Sequence, residues 1–153
     1  MLLTEFDANR QAIINPEDLN EPLEGFPKIA VSCFSRSTFQ RMLEMFPHEL
    51  IYETSMANVA IPIYKLVIAE QELALFNAPV GASACVAILE DIFALGADKL
   101  VLFGTCGVLD EDIKETSIII PSHALRDEGT SFHYVEASDE IAVCLLYTSD
   151  AAD

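Results

Sequence analysis

The sequence predicts an α/β protein in which helices cover a β-sheet, and three observations support this. A chain of 153 residues suffices for one ordinary domain, because it can bury roughly two-thirds of its unfolded surface. Hydrophobic residues make up 52% of the chain, which is too many for a disordered segment. Short apolar runs typical of strands alternate with segments of helical periodicity, and glycine-containing turns follow the strands, which is the pattern of βαβ units.

An irregular arm precedes the first predicted strand. Residues 1–27 contain three prolines and a glycine among acidic residues, and we expect Ile13, Ile14 and Leu19 to pack this arm. Residues 28–34 form a short apolar run rich in strand-forming residues, which predicts the first strand.

A helix is predicted directly after this strand. Ser35 or Ser37 can cap a helix over residues 36–46, and Pro47 ends it. Its apolar residues recur at i, i+3, i+4 and i+7, so that one face is expected to pack on the sheet. These residues are Phe39, Met42, Leu43 and Phe46.

Three more strands and a second helix follow. The strands are predicted at residues 49–54, 61–69 and 72–78. Residues 82–95 then show helical periodicity, and Gly96 is expected to end this helix in a left-handed conformation.

The last two predicted strands are strongly apolar. Residues 99–103 have an all-apolar core, which is typical of a central strand covered on both faces. Residues 116–121 form another apolar run.

Composition excludes several classes of partner. Eight lysines and arginines against 25 aspartates and glutamates give a formal charge of −17, so nucleic acid and anionic membrane surfaces would be repelled. Proline and glycine break the longest uncharged run, residues 73–89, so no membrane span is expected. The four cysteines form no CxxC pair and the first ten residues carry no secretory signal, which favours a cytoplasmic protein with reduced thiols.

Two glycine-containing turns could contact a ligand. They comprise residues 79–84 and 104–107, each after a predicted strand. In open α/β sheets ligands lie beyond the carboxyl ends of strands, where glycine lets backbone N–H groups approach an anion or a sugar. The alternative is that these glycines only form tight turns, and neither turn matches a dinucleotide-binding or P-loop motif.

A polar loop over residues 126–134 is the third candidate feature. Its simplest interpretation is a hydrogen-bonded loop in which Arg126 forms an ion pair with Asp127 or Glu128. His133 could act as a general acid or base, because histidine titrates near neutrality. The histidines lack metal-ligand spacing, so no metal is expected.

The order of these motifs resembles the nucleoside phosphorylase family. The Gly104-Thr-Cys-Gly107 turn precedes the string Arg126-Asp-Glu-Gly-Thr-Ser-Phe-His-Tyr134, as in the uridine phosphorylase branch, and the resemblance covers about residues 26–134. It implies a three-layer α/β/α fold with a central mixed sheet. It also implies a homo-oligomer built from dimers, a hexamer in many members, with a small-molecule nucleoside as partner.

The resemblance also implies an activity in nucleoside salvage or catabolism. Members cleave the N-glycosidic bond of a nucleoside with inorganic phosphate as co-substrate and no further cofactor, giving the free base and ribose 1-phosphate. By position, Thr105, Gly81 and Arg36 would contact phosphate and ribose, and Cys106 and Gly107 would line the base pocket. The polar loop would frame the site without an assigned catalytic role, through Arg126, Asp127, Glu128 and His133.

Departures from the family's pattern concern phosphate binding. A GDPxR-type string stands here as Cys33-Phe-Ser-Arg-Ser37, and the arginine usual two residues before the GT pair is Leu102. No arginine lies between Glu49 and Val101 to serve a neighbouring subunit. Each charge-assisted hydrogen bond is worth about 1.5–3 kcal/mol. Two alternatives therefore stay open: a phosphate-independent nucleosidase that uses water, and a non-catalytic nucleoside-binding member of the family.

The end of the chain differs from the rest. Residues 144–153 match, residue for residue, one reading frame of a transposase-type sequencing adapter, and we expect a cloning scar rather than native sequence. A native strand and loop is the alternative. Residues 1–143 would then be the N-terminal part of one truncated nucleoside phosphorylase-like domain. The chain alone is expected to be inactive, because its sheet and site would be unfinished.

Overall fold

The computed structural model describes residues 5–9, 11–113 and 118–143. Residues 11–105 form one unit, and the described residues before and after them belong to a second. The predicted α/β class is confirmed by the helices and sheets below. The predicted adapter-derived tail, residues 144–153, lies outside the described residues.

The first unit contains a five-stranded mixed sheet, in the order β2-β3-β4-β1-β5. Strand β1 is parallel to β4 and β5, whereas β2, β3 and β4 are antiparallel to one another. The elements are α1 (Pro16–Leu19), β1 (Ile29–Cys33), α2 (Arg36–Met45), β2 (His48–Met56), β3 (Val59–Ile68), β4 (Gln71–Phe76), α3 (Ala82–Leu95) and β5 (Lys99–Phe103). The carboxyl ends of three neighbouring parallel strands therefore meet at one end of the sheet.

Helices α2 and α3 cover opposite faces of this sheet, which gives three layers. Helix α3 packs Ile88 and Ile92 in a cluster with Phe76. Helix α2 packs Phe39 in another cluster with Leu75, and the predicted stripe of α2 is confirmed because its other members join that cluster. Phe76 and Leu75 are consecutive in β4, so their side chains point to opposite faces.

Local signals placed both long helices correctly. Ser35 caps α2, with its Oγ accepting a hydrogen bond from the Thr38 backbone N–H at 3.2 Å. Helix α3 has the predicted bounds and ends at Gly96, whose φ of 128° lies in the left-handed region. Each of the strands predicted in residues 28–103 is present, with bounds within three residues of the prediction.

The arm before β1 differs from its prediction. Ile13 is fully exposed, and Ile14 and Leu19 are also exposed rather than packed. Leu23 and Phe26 pack on the core instead, and the Leu23 N–H donates to the Leu95 carbonyl oxygen at 3.0 Å. The arm is therefore held through its last residues, where the chain runs beside the end of α3.

Strand β5 is present and lies at the edge of the sheet that the described residues form. In the described part of the chain it pairs only with β1 and forms an edge of the sheet. Val101, Leu102 and Phe103 are 52%, 43% and 57% exposed. The apolar sequence identified a strand correctly, but apolarity alone does not show which other elements cover it.

The hairpin between β3 and β4 uses residues that the sequence does not mark as a turn. Ala69 and Glu70 form its two-residue connection, with Ile68 paired to Gln71. Their φ values are 49° and 65°, in the left-handed region that usually favours glycine or asparagine. Pairing of the two strands therefore imposes this turn against local preference.

The second unit contains a small antiparallel pair, β6 (His123–Leu125) with β7 (Glu140–Ala142). A short 3-10 helix, Thr130–His133, lies between them. The strand predicted at 116–121 is wrong for residues 118–121, which adopt no regular structure, and residues 116 and 117 lie outside the described residues. Strand β6 begins two residues later, after Pro121, which cannot donate a ladder hydrogen bond.

Candidate functional site

An open pocket of about 660 Å³ lies in the first unit, beyond the carboxyl ends of β4, β1 and β5. This is the position in which open α/β sheets bind ligands. Among its lining residues only Ser35 and Thr105 carry hydroxyl groups, and none is charged at neutral pH. The lining consists of Phe34, Ser35, Val80, Gly81, Ala82, Cys85, Val86, Leu89, Leu102 and Thr105.

Two hydrogen bonds tie the turn after β4 to the end of β1. The Ala78 N–H donates to the Oγ of Ser32 at 2.9 Å, and Ser32 is fully buried. The side-chain amide of Asn77 donates to the Cys33 carbonyl oxygen. The first two residues of this turn, Asn77 and Ala78, are thus both hydrogen-bonded to strand β1.

Gly81 ends this turn and immediately precedes helix α3. Its φ of 108° and ψ of 136° are accessible to glycine but strained for other residues. Gly81 and Ala82 line the pocket, so the first turn of a 14-residue helix lies beside it. The backbone N–H groups of a first helical turn lack partners within the helix and favour negative charge.

A Gly81→Ala variant is expected to lose about 1–2 kcal/mol of stability, because an L-residue resists this conformation. Urea unfolding of both proteins measures the loss. Gly129→Ala is the control, since Gly129 has a φ of −94° and open space around its Cα. Equal stability of the two variants would show that Gly81 is not conformationally required.

The hydroxyl groups of Ser35 and Thr105 differ in whether they already form hydrogen bonds with described residues of the protein. The Oγ of Ser35 is engaged at the start of α2, where it also accepts from the Thr38 hydroxyl at 3.0 Å. The Thr105 side chain makes no hydrogen bond within the described ranges, so its hydroxyl can serve a ligand. Phe34 also lines the pocket and lies close to Gly104, where an added Cβ would come within 3.2 Å of the ring.

The structure brings together two of the predicted site residues, Gly81 and Thr105. Arg36 is the first residue of α2, next to Ser35, but it is exposed and outside the lining. Cys106 and Gly107 are exposed residues at the start of the second unit's longer segment.

Sequence reasoning missed the apolar walls of the pocket. Cys85, Val86 and Leu89 lie on one face of α3, and burial raises the pKa of the Cys85 thiol. Leu89 follows Val86 by three residues and Cys85 by four, which predicts one apolar helix face after the Gly81 turn. The same spacing is equally typical of a helix face that packs in the core.

The predicted ion pair of Arg126 is not found among the described residues. The buried guanidinium donates instead to Ser131 and Ser138 hydroxyl oxygens, both at 2.9 Å, and to the carbonyl oxygens of Val135 and Glu136. It also stacks on the Phe132 ring, 4.1 Å from the ring centroid. Arg126 therefore organises the polar loop by binding its backbone and hydroxyl groups.

The other predicted residues of this loop lie at its surface. Glu128 accepts from the Thr130 N–H at 2.8 Å and from the Ser131 N–H, which fixes the start of the 3-10 helix. Asp127 is exposed, and His133 is exposed at the other end of that helix.

We expect the fixed start of the 3-10 helix to loosen in acid. Hydrogen bonding, first with Ser131, lowers the pKa of Glu128. A carboxyl group whose pKa is lower in the folded than in the unfolded protein stabilises the fold when it is ionised. This stabilisation is complete above the ordinary carboxyl pKa of about 4.3, and it is lost as the pH falls through the folded-state pKa. The Ser131 amide resonance, followed by NMR from neutral pH to about pH 3, should shift in the natural chain and stay constant in Glu128→Gln. Identical titrations would contradict this.

Across residues 5–9, 11–113 and 118–143, no group of three or more His, Cys, Asp or Glu side chains could hold a metal ion. The cysteines within those ranges, Cys33, Cys85 and Cys106, are free thiols. No helix in those ranges has the length and apolar character to cross a membrane.

Comparisons with known proteins agree with this architecture. A sequence model of the Phosphorylase superfamily matches residues 28–150. Uridine phosphorylase from Vibrio fischeri ES114 superposes with a TM-score of 0.72 at 17% identity, covering 93% of this chain and 58% of that one. No curated protein matches the chain.

Two Helicobacter pylori structures are also similar. Futalosine hydrolase of strain 26695 has a TM-score of 0.62 at 18% identity, covering 83% of this chain and 57% of that one. A 5′-methylthioadenosine/S-adenosyl homocysteine nucleosidase has a TM-score of 0.62 at 19% identity, covering 84% and 58%. At these identities the likeness shows the fold, and the chain spans less than two-thirds of each relative's length.

Proposed function

The chain belongs to the phosphorylase superfamily, and from this premise we propose that the complete protein cleaves the N-glycosidic bond of a nucleoside. One observation carries the proposal: Gly81, Thr105 and the first turn of α3 lie together in a pocket beyond three parallel strands. Similar folds belong to a uridine phosphorylase and to nucleosidases.

Transfer of the ribosyl group to phosphate is the first form of this proposal. As the bond to the base breaks, the sugar becomes oxocarbenium-like and needs hydrogen bonds and an acceptor at C1′. The Thr105 hydroxyl would bind phosphate or ribose, and the N–H groups near Gly81 would favour an anion. Arg36 would contribute if its side chain reached from the start of α2. The products are the free base and ribose 1-phosphate.

Hydrolysis is the second form, and a specific observation favours it. None of the lining residues carries a positive charge, and Arg36 stands outside the lining. Water needs no cation to bind, whereas phosphate binding ordinarily uses charge-assisted hydrogen bonds.

We further propose that the complete protein acts in nucleoside salvage or catabolism, in the cytoplasm, as a homo-oligomer without a cofactor. Support comes from the superfamily match and, for the cytoplasm, from the four cysteines, which form no CxxC pair. Size-exclusion chromatography with light scattering tests the assembly, and a monomer at assay concentration would contradict it.

The test of the function is nucleoside cleavage by the complete protein, expressed from its full-length gene. Pyrimidine and purine nucleosides are incubated with and without phosphate, and chromatography measures the free base and the sugar product. Base release that requires phosphate supports the first form, and release that is independent of phosphate supports the second. If no base is released at enzyme concentrations equal to substrate, the proposal fails in favour of a binding role.

Thr105→Val is expected to lower kcat/KM about 10- to 100-fold, because it keeps the shape and removes a hydroxyl that binds the reacting groups. Ser55→Ala serves as a control, since it removes a hydroxyl from an exposed residue of β2 that lies outside the pocket lining. Unchanged kcat/KM in Thr105→Val would remove Thr105 from the site.

A further inference from the structure

Three elements of the first unit meet at one carboxylate outside the pocket lining. Asp91 lies in the second half of helix α3, and its two oxygens bind different parts of the chain. The side-chain amide of Asn20, in the arm, donates to Oδ1 at 2.8 Å. The Thr54 hydroxyl, in strand β2, donates to Oδ2 at 2.6 Å. Asn20 and Thr54 are both only 8% exposed, so each donor depends on protein partners rather than on bulk water.

These hydrogen bonds constrain α3 differently from its apolar contacts. Ile88 and Ile92 hold the helix against the sheet, but hydrophobic contact is non-directional. Hydrogen bonds to a carboxylate depend on distance and angle, and they are stronger than those between neutral groups. Because one donor belongs to the arm and the other to the sheet, Asp91 keeps both partners only at one rotation of the helix about its axis.

The same part of α3 holds the arm at a second point and lies close to the pocket. The Leu23 N–H donates to the carbonyl oxygen of Leu95, one helical turn after Asp91. Cys85 and Leu89, which line the pocket, precede Asp91 on the same helix and lie within about 9 Å of it along the axis. Since backbone hydrogen bonds make a helix stiff, a rotation at Asp91 also moves these side chains.

We propose that Asp91 is a positioning residue for the pocket. By accepting hydrogen bonds from the arm and from β2 at once, it sets the rotation of α3 and therefore the place of the wall formed by Cys85, Val86 and Leu89. The arm and β2 thereby influence the pocket from outside its lining. The effect of Asp91 on catalysis rests on the proposed function, whereas its effect on the wall does not.

The rate at which N-ethylmaleimide labels Cys85 reports the position of this wall. The complete protein and its Asp91→Ala and Asp91→Asn variants are labelled at neutral pH, and mass spectrometry of the peptides follows each cysteine. Cys33 is the internal reference, because it is buried in the cluster of α2 on the other face of the sheet. In Asp91→Ala we expect the labelling of Cys85 to quicken about 3- to 30-fold relative to that of Cys33.

The conservative variant Asp91→Asn should restore most of the natural rate. Its amide oxygen still accepts from Asn20, and its amide nitrogen can donate to the Thr54 hydroxyl, which is also an acceptor. Thr54→Val and Asn20→Ala each remove one donor, and we expect them to quicken the labelling of Cys85 less than Asp91→Ala does. These two variants decide the question if Asp91→Ala does not fold.

A further control separates positioning from a general loss of stability. Leu66 is buried in the cluster of α2, so Leu66→Ala destabilises the fold without removing a partner of Asp91. We expect it to quicken the labelling of Cys33 at least as much as that of Cys85. The same pattern in Asp91→Ala would make Asp91 an ordinary stabilising residue and overturn the proposal, as would an unchanged rate at Cys85 in every variant of Asp91, Asn20 and Thr54.

Steady-state kinetics of nucleoside cleavage distinguish failure of the function from failure of the inference. We expect Asp91→Ala to raise KM about 3- to 10-fold and to change kcat by less than about twofold, since the wall contacts the substrate equally in the ground state and the transition state. If no protein cleaves a nucleoside but Cys85 responds as expected, the proposed function fails and the positioning role holds. If cleavage proceeds with equal KM and Cys85 does not respond, the function holds and the positioning role fails.

Discussion

Replacing Phe76 with alanine is expected to destabilise the first unit by about 3–5 kcal/mol. Phe76 is the largest of the fully buried side chains and lies against the helix α3 cluster. Its removal leaves a cavity that close-packed neighbours fill only in part. A loss of this size is a large fraction of the roughly 5–15 kcal/mol by which native proteins are stable. Urea unfolding followed by circular dichroism measures it.

We expect the same substitution also to disorder the turn beside the pocket. Phe76 directly precedes Asn77 and Ala78, whose hydrogen bonds fix the turn before Gly81. The matched control is Phe103→Ala, because Phe103 is 57% exposed at the end of β5. We expect this control to cost about 1 kcal/mol or less. Similar losses in the two variants would show that the cluster around α3 does not form the core.

An Arg126→Met variant should lose the order of the polar loop, with a local cost of about 3 kcal/mol. Methionine keeps the apolar part of the side chain but removes every donor, which leaves the carbonyl oxygens of Val135 and Glu136 without this partner. Hydrogen bonds to charged groups are worth about 1.5–3 kcal/mol each, though they do not add independently. Amide hydrogen exchange of residues 130–138 should quicken.

Two further variants separate the causes of this effect. Arg126→Lys keeps the charge but lacks the planar group that reaches two serines and two carbonyls, so we expect most of the loss to remain. Arg41→Met changes an exposed arginine of α2 and should alter stability by less than about 0.5 kcal/mol. Unchanged exchange in Arg126→Met would show that other contacts hold the loop.

The elements that sequence predicted best have strong local causes. Helix α3 has a glycine at each end and helical apolar spacing between them, so both of its bounds follow from short segments. The bounds of helix α2 likewise follow from local residues, since Ser35 caps its start and Pro47 prevents its continuation. Gly81 and Thr105, which line the pocket, lie in glycine-containing turns after strands, and such turns can be recognised from the sequence alone.

What the sequence did not predict depends on distant partners. The turn at Ala69 and Glu70 has no local signal, because the pairing of β3 and β4 creates it. Asp91 of α3 reads as a solvent-facing residue, yet its carboxylate accepts from Asn20 at 2.8 Å and from Thr54 at 2.6 Å. Nothing in the local sequence predicts that Arg126 is buried and donates to carbonyl groups. Such long-range hydrogen bonds have no periodicity from which they could be inferred.

The pair of hydrogen bonds from the turn after β4 to Ser32 and Cys33 bears on the entropy of ligand binding. A mobile loop must lose conformational freedom when a ligand binds, at about 1–2 kcal/mol for each backbone residue that becomes fixed. Here folding of the sheet has already restrained residues 77 and 78, immediately before the pocket. This side of the pocket is therefore preorganised before a ligand binds. Less of the free energy of the ligand's contacts is then lost in ordering the protein than with a mobile loop.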